Sequence, residues 1–504
     1  MRTIESIGWH FRRSLGIFVA LLAALPMFAD YTLRVNPRED RGEWDGWGCS
    51  LSWWGHGIGK SAYENLHADL FFTTGTVAYA GKELPGLGMN ILRYNIGGGG
   101  RNDAGKTIQE AVSPKVPWFK DIDGYWINRD NPDPASASWD WSRDANQRSM
   151  LQAACRRGVT WVEFFANAPM WWMMDSRSSA GGQLLAEHER DFAHYLATVA
   201  WKAKTDWGIN VRSIEPFNEP LAGWWKYPMQ QEGCNIPKKQ QKSVLGHLKN
   251  ELHPLALDGV QITASDENAM TEATAGYNFF KTQTVAVGNA SRTVSDLIDK
   301  INVHSYCGLQ PWRDNNARTA LRQAAGNKRL WASEFCDDDA TGMALAQTIT
   351  EDLNWLRPSA WIYWQPVEPY SPWGFLNADY KHSPEKTERG KPLRVYTKYY
   401  VFAQFTRFLR PGYRLIGSND LNSIAAHDAA GKRLILITVN YTPQRIDYDL
   451  GAFAAVGATA TVTRTKTDGS ACFATGTIPI KDGKFSINAT EKTIYSIVVE
   501  GVRL

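Results

Sequence analysis

The stretch Ser-Ile-Glu-Pro-Phe-Asn-Glu-Pro at residues 213–220 is typical of a buried β-strand that ends in a polar turn. Pro220 cannot donate a hydrogen bond to a sheet, and it biases Glu219 toward an extended backbone. A carboxylate is therefore expected at the carboxyl end of a strand, with the amide of Asn218 beside it. In a parallel (β/α)8 barrel, that end of the strands is where the chemistry is carried out.

Seven other short apolar runs predict further strands, at residues 45–54, 90–94, 160–166, 260–265, 300–305, 329–333 and 361–364. Helical periodicity occurs between several of them, at residues 145–157, 187–205, 238–252, 316–325, 343–356 and 393–409. Strands that alternate with helices predict βαβ units and a parallel sheet. Eight such units predict a closed (β/α)8 TIM barrel over residues 45–409. The alternative is a doubly wound open sheet, for which the chain lacks a convincing glycine fingerprint between a strand and a helix.

After residue 409 the pattern changes to short strands rich in Thr, Val and Ile. Strands are predicted at residues 433–439, 458–465, 475–480 and 492–499, separated by Gly, Asp and Asn. Residues 410–504 are therefore expected to form an all-β sandwich domain. A strand-like segment within residues 30–44 is expected to pack on this sandwich.

Composition and charge exclude some partners. The 504 residues carry a formal net charge of only +3, which gives no reason to expect nucleic acid or an anionic membrane as a partner. The chain has 22 tryptophans, and tryptophan faces exposed in a cleft are suited to the apolar faces of sugar rings.

The amino terminus is predicted to be a signal peptide over residues 1–29, so the protein is expected to be secreted. Arg12 and Arg13 precede an apolar run at residues 15–24, and small residues follow near Ala29. An uncleaved anchor is the alternative, and no later stretch is long and apolar enough to cross a bilayer.

Six cysteines can pair in 15 ways, which the sequence does not distinguish. Three glycosylation sequons stand at Asn289, Asn440 and Asn488.

A second carboxylate, Glu334, ends the predicted seventh strand just as Glu219 follows the fourth. Barrel geometry places the two on opposite sides of one cavity, the arrangement that glycosidic bond cleavage requires. Other strand ends and their loops supply candidate substrate-binding residues: Arg93, Asn218, His304, Tyr306 and Trp364, with aromatic walls from Trp54, Trp172 and Trp224.

Competing motifs are weak. The glycines at residues 97–100 are not followed by the Gly-Lys-Ser/Thr of a phosphate loop, and His188 and His194 lack metal-ligand spacing. No metal and no organic cofactor is expected.

The stretches at residues 45–54, 93–98, 218–220, 231–234 and 333–334 resemble glycoside hydrolase family 30, and within it the endo-β-1,6-galactanase group. The resemblance implies a (β/α)8 barrel with an attached β-sandwich and retention of anomeric configuration. It also implies that Glu219 is the acid/base, which carries the proton at the start, and that Glu334 is the nucleophile. The other implied pocket residues, which would line the subsite for the sugar that becomes covalently attached, are Arg93, Asn218, His304, Tyr306 and Trp364.

The expected substrate is therefore a polysaccharide, β-1,6-galactan of arabinogalactan side chains, cleaved by a monomeric enzyme. Related hydrolases that act on β-1,6-glucan or xylan are the first alternative. A non-catalytic carbohydrate-binding protein on a degenerate barrel is the second.

Overall fold

The computed structural model describes residues 30–100, 108–306, 314–381 and 388–504. Eight parallel strands form a barrel: Gly46–Ser50, Ile91–Asn95, Trp161–Phe165, Val211–Glu215, Gln261–Ile262, Lys300–His304, Arg329–Glu334 and Ala360–Tyr363. Neighbours in the chain are neighbours in the sheet, and the eighth strand pairs with the first. The fifth and sixth strands are joined by the bridges Thr263–Lys300 and Glu267–Val303. The predicted barrel is confirmed.

Helices surround the barrel. The longer ones are Glu64–Phe72, Ala145–Cys155, Glu189–Thr205, Lys238–Leu252, Met270–Phe280, Asn315–Ala325, Met343–Glu351 and Thr397–Thr406. Short helical segments are Trp54–Ile58, Trp118–Lys120, Trp171–Met173, Ala186–His188, Val294–Leu297 and the π-helical Asp352–Leu356. Each predicted helix is found. The prediction at residues 393–409 was wrong at its start, because Lys391–Val395 is a strand that pairs with Leu376–Asp379.

The small strands outside the barrel form pairs or a triplet on its surface. They are Thr76–Tyr79 with Lys82–Pro85, Ala180–Gln183 with Gly233–Asn235, Thr284–Val287 with Ala290–Thr293, and Val367–Glu368 with Leu376–Asp379 and Lys391–Val395. The sequence analysis did not predict them.

A second unit of nine strands forms the β-sandwich. Its strands are Tyr31–Glu43, Arg414–Ser418, Ser423–Asp428, Arg433–Asn440, Gln444–Asp449, Thr459–Lys466, Ala474–Pro479, Lys484–Ala489 and Thr493–Val499. The first of these runs parallel to Gln444–Asp449 and then antiparallel to Arg414–Ser418, so it takes part in both sheets. Leu33 and Val35 of this strand are buried in the sandwich core.

The barrel interior begins with an apolar floor. Ile91, Trp161, Trp331 and Ile362 form a separate buried cluster near the amino ends of their strands. Because side chains of a strand alternate between its two faces, residues two and four positions further along point to the same interior. The polar layers described below lie there.

In the described part of the chain, no helix is both long enough and apolar enough to span a bilayer. The predicted signal peptide lies outside the described residues. Cys49, Cys155, Cys234, Cys336 and Cys472 are free thiols, and Cys307 lies outside the described residues. At the sequons, Asn289 and Asn488 are exposed, whereas Asn440 is buried and its amide donates to two backbone carbonyls.

Candidate active site

A layer of paired charges lies directly above the apolar floor. Glu163 of the third strand accepts hydrogen bonds from Arg93 Nε at 3.0 Å, Lys300 Nζ at 2.7 Å, Asn302 Nδ2 at 2.8 Å and Ser213 Oγ at 2.7 Å. Although burial opposes ionisation, Lys300 and Arg93 keep the pKa of Glu163 below its ordinary value. We call Arg93, Glu163, Lys300, Asn302 and Ser213 the lower layer.

Arg93 connects this layer to the residues above it. Its remaining nitrogens donate to Ser333 O at 3.1 Å and to the carboxylate of Asp266. The side chain is fully buried. Arg93 therefore supports the site from below, and the expectation that it lines the sugar pocket is wrong, because protein acceptors already occupy its guanidinium.

The two expected carboxylates meet at the carboxyl end of the barrel. One oxygen of Glu219 lies within 4.8 Å of one oxygen of Glu334. Only 8% of Glu219 and 6% of Glu334 is exposed. An oxygen–oxygen distance this short is compatible with the roughly 5–5.5 Å between the carboxyl groups of retaining glycosidases.

The backbone at Glu219 is left-handed, with φ of 48°, and not extended as the following proline would favour. Tertiary contacts hold it there. Its N–H donates to Asp266 O at 2.9 Å, and its carbonyl accepts from Trp225 Nε1 at 2.8 Å. Strained backbone of this kind persists where the surroundings fix it, commonly at functional sites.

His304 bridges the two carboxylates. Its Nδ1 lies 3.2 Å from Glu219 Oε1 and 3.4 Å from Glu334 Oε1, and its Nε2 lies 3.4 Å from Asp266 Oδ2. Burial alone lowers the pKa of His304, but the negative charges of Glu334 and Asp266 outweigh it and hold that pKa well above the ordinary 6.5. The imidazole is therefore a cation that offers an N–H to both glutamates.

Glu334 is placed to share a proton. Burial raises the pKa of Glu334 to about 7, against the opposing charge of His304, and the negative charge of Glu219 adds to the rise. Tyr306 Oη donates to Glu334 Oε1 at 3.3 Å and lies 3.1 Å from Cys336 Sγ. Glu334 therefore ionises less readily than an ordinary glutamate.

Asp266 and Asn268 are parts of the site that the sequence analysis missed. Asn268 Nδ2 donates to Glu219 Oε1 at 2.8 Å, and Asp266 accepts from Ser333 Oγ. Both follow the fifth strand, which has only two residues, Gln261–Ile262. The run Asp-Glu-Asn at residues 266–268, directly after a predicted barrel strand, was the available signal.

Asn218 and Trp364 lie at the same rim. Asn218 is almost fully buried, and its Oδ1 has no hydrogen-bond partner among the described residues. Trp364 packs edge-on against Trp53 with ring centroids 5.3 Å apart.

The predicted aromatic walls divide into two classes. Trp224 is 39% exposed and available to a ligand. Trp54 is buried against Phe71, 5.3 Å between ring centroids, and Trp172 is buried against Trp126 at 4.9 Å. The prediction that Trp54 and Trp172 bind substrate is therefore wrong, because both rings are used in packing.

Among the described residues, one group of three could supply ligand atoms to a metal ion. It consists of Glu219, His304 and Glu334, whose ligand atoms all lie within 4.8 Å of one another. The arrangement of two carboxylates with a histidine between them also fits acid/base chemistry.

Comparison with known proteins agrees with this geometry. The model of O-Glycosyl hydrolase family 30 matches residues 30–374. The chain is 36% identical to the endo-beta-1,6-galactanase of Hypocrea rufa over 486 residues, 94% of this chain and 96% of that protein. It is 24% identical to the exo-beta-1,6-galactobiohydrolase of Bifidobacterium longum subsp. longum, over 64% of this chain and 26% of that protein.

Among solved structures, the catalytic domain of a family 30 xylanase from Talaromyces cellulolyticus has the same fold. The TM-score is 0.65 at 17% identity, and the match covers 93% of this chain and all of that one. From the family match and the 36% identity over nearly the whole length, this chain belongs to O-glycosyl hydrolase family 30 and is a glycoside hydrolase.

Proposed function

We propose that the protein is a secreted endo-glycosidase that hydrolyses β-1,6-galactan, such as the side chains of arabinogalactan, with retention of configuration. The observation that carries the mechanism is the pair Glu219 and Glu334, with carboxylate oxygens within 4.8 Å and His304 between them. The galactan preference is supported by the 36% identity to an endo-beta-1,6-galactanase. Secretion is supported by the signal-like pattern of residues 1–29.

In the first step, a carboxylate oxygen of Glu334 forms a bond to the anomeric carbon of the bound sugar. The glycosidic C–O bond breaks, its electron pair goes to the departing oxygen, and that oxygen takes the proton of Glu219. Tyr306 and His304 contact Glu334 Oε1, so they orient the attacking carboxylate. The product of this step is a glycosyl ester of Glu334.

In the second step, Glu219 takes a proton from water, and the water oxygen bonds to the anomeric carbon. The ester bond to Glu334 breaks, and its electron pair returns to the carboxylate. Two displacements at the same carbon give net retention.

Nucleophilic attack requires Glu334 to be ionised, with the proton on Glu219. Because burial raises the pKa of Glu334, any proton that Glu334 holds must pass to Glu219 when substrate binds. His304 Nδ1 lies between the two carboxylates and donates to whichever is ionised, so it stabilises the pair before and after the transfer. Asn268 holds the Glu219 oxygen in place during this change.

The direct test uses two variants and an aryl glycoside of a β-1,6-galacto-oligosaccharide. Glu334→Ala should abolish hydrolysis, and added azide should then give a glycosyl azide of inverted configuration. Glu219→Ala with azide should give the product of retained configuration. Wild-type activity in either variant would overturn the assignment of roles.

Substrate preference is tested separately. The wild-type enzyme is incubated with β-1,6-galactan, β-1,6-glucan and xylan, and the products are sized. The proposal expects galactan to be cleaved fastest, to a ladder of oligosaccharides. A faster reaction on glucan or xylan would overturn the galactan preference and leave the two-carboxylate mechanism standing.

A further inference from the structure

An asparagine follows the third barrel strand, at the end of the barrel where the catalytic pair lies. Glu163 and Phe165 share one face of the strand, and Asn167 comes two residues after the strand ends at Phe165. Sheet pairing continues past the strand's end on both sides, since Ala166 N donates to Glu215 O at 3.3 Å and Ile96 N to Phe165 O at 2.7 Å. Asn167 therefore directly follows the last paired residue, at the carboxyl end of the barrel.

Phe165 fixes where that face points. The guanidinium carbon of Arg93 lies 4.2 Å from its ring centroid, and the ring of Trp364 packs edge-on at 6.4 Å. Arg93 connects to the catalytic pair through Asp266 and His304, and Trp364 follows the eighth strand at the same rim. Asn167, two residues after Phe165, therefore stands at this rim.

The backbone of Asn167 is held firmly. Its N–H donates to Asn95 Oδ1 at 3.1 Å, and Asn95 Nδ2 in turn donates to Glu232 at 3.2 Å. Glu232 is itself buried and accepts from Gly98 N at 3.1 Å. This chain of hydrogen bonds fixes the main chain of Asn167 without using its side chain.

The side-chain amide of Asn167 is buried but makes no hydrogen bond to the described residues. Asn167 is 3% exposed, and within the described ranges neither its Oδ1 nor its Nδ2 has a hydrogen-bond partner. Burying an unpaired polar group carries a free-energy cost. Buried polar groups are otherwise nearly always paired, so such a cost at a fixed position beside a catalytic pair indicates a ligand.

We propose that Asn167 is a substrate-binding residue, whose amide donates to one hydroxyl and accepts from a second hydroxyl of the sugar ring that lies between Glu219 and Glu334. This rests on the proposed function to the extent that the ligand is that sugar. A primary amide presents a donor and an acceptor side by side, which matches two neighbouring ring hydroxyls.

The test compares two nearly isosteric substitutions. Asn167→Leu should lower kcat/KM by about 10- to 100-fold, because a sugar hydroxyl pair loses its partner. Its melting temperature should stay the same or rise, because the free protein loses no hydrogen bond.

Asn354→Leu is the matched control. Asn354 is equally buried, but it donates to Leu421 O at 2.9 Å and accepts from Arg41 at 2.7 Å, at the junction of barrel and sandwich. This variant should lose melting temperature and keep its kcat/KM.

Both variants are assayed on whichever of the three glycans the wild-type enzyme cleaves fastest, so a wrong galactan assignment does not affect the comparison. Wild-type kcat/KM in Asn167→Leu would overturn the proposal. A fall in melting temperature as large as that of Asn354→Leu would also overturn it, since it would show a structural role for Asn167.

Discussion

The barrel interior holds two layers of buried polar side chains, one above the other along the strands. In the lower layer Glu163 is matched by Lys300 and Arg93 at 2.7 and 3.0 Å. In the upper layer, Glu219 and Glu334 both contact the cation His304, and Glu334 Oε2 has no hydrogen-bond partner within the described ranges. The pKa of Glu163 is lowered, whereas that of Glu334 is raised to about 7.

The two layers differ in how well their charges are paired, and this determines how a buried charge is to be interpreted. Charges matched by opposite charges at hydrogen-bond distance hold the fold in one arrangement, and their removal costs stability. Charged groups that lack such partners hold a proton or bind a ligand, and their removal lowers activity. The following predictions separate the two layers by these two measurements.

The largest effect is expected in the lower layer. Glu163→Ala leaves Lys300 and Arg93 buried with less compensation, so the free energy of unfolding should fall by about 3–5 kcal/mol. Urea unfolding followed by tryptophan fluorescence measures it. The double variant Glu163→Leu with Lys300→Met is the control and should recover part of the loss, because both charges are then absent. A loss below about 1 kcal/mol in Glu163→Ala would show that this layer does not stabilise the fold.

His304→Gln removes the cation between the carboxylates. We expect kcat/KM to fall by about 10²–10³-fold, as for loss of a donor aimed at developing charge. The charge of His304 lowers the pKa of Glu334, so without it that pKa rises above about 7. The alkaline limb of the pH profile, where the pair loses its last proton, should therefore move to higher pH.

Tyr306→Phe is the control for this shift. It removes a neutral donor to Glu334, so the alkaline limb should move less than in His304→Gln. An alkaline limb that stays in place in His304→Gln would mean that the imidazole is neutral in the enzyme.

The sequence predicted the barrel well for a physical reason. Each barrel strand is buried on both faces, so it appears as a short apolar run that ends abruptly in polar residues. Met270–Phe280 was missed because its small and polar residues give no clear apolar stripe. The pairs that begin at Thr76 and Thr284 were missed because they are short and largely exposed, with little hydrophobic pattern. The other small strands have only two to five residues, too few to show a period.

The two glutamates were predictable because each stands where an apolar run stops. Asp266 and Asn268 were overlooked although they directly follow the predicted strand at residues 260–265, because an acid or amide in such a loop has no assigned role from its residue type alone. The tryptophans show a different limit. Trp53 and Trp54 are adjacent in sequence, yet the first meets Trp364 at the rim and the second packs on Phe71. Composition cannot tell which of two neighbours faces the cavity.

The upper layer should also destabilise the protein in a pH-dependent way. The pKa of Glu334 is about 7 in the folded protein against an ordinary 4.5, so the folded state binds this proton more tightly than the unfolded state. Stability linked to Glu334 is fully present below about pH 4.5 and is lost as pH rises through 7. Glu334→Gln cannot ionise and should be more stable than wild type at pH 8, by about 3 kcal/mol, and nearly equal at pH 4.5.

Urea unfolding of both proteins at the two pH values measures this difference. The Glu163→Gln variant is the contrast in the lower layer, because the lowered pKa of Glu163 makes its ionised form favourable, and this variant should be less stable than wild type at pH 8. Equal stability of Glu334→Gln and wild type at both pH values would show that Glu334 is already ionised at neutral pH.

The smallest effect is expected at the exposed tryptophan beside the site. Trp224 is 39% exposed and packs at 6.1 Å on Trp225, whose indole N–H holds the Glu219 carbonyl. Trp224→Ala should raise KM for long galactan a few-fold, about 1 kcal/mol or less, because one sugar-stacking face is lost while the Trp225 contact remains. Trp172→Ala, at a buried ring, should instead lower the free energy of unfolding by about 3–5 kcal/mol. An unchanged KM in Trp224→Ala would show that Trp224 does not contact the polysaccharide.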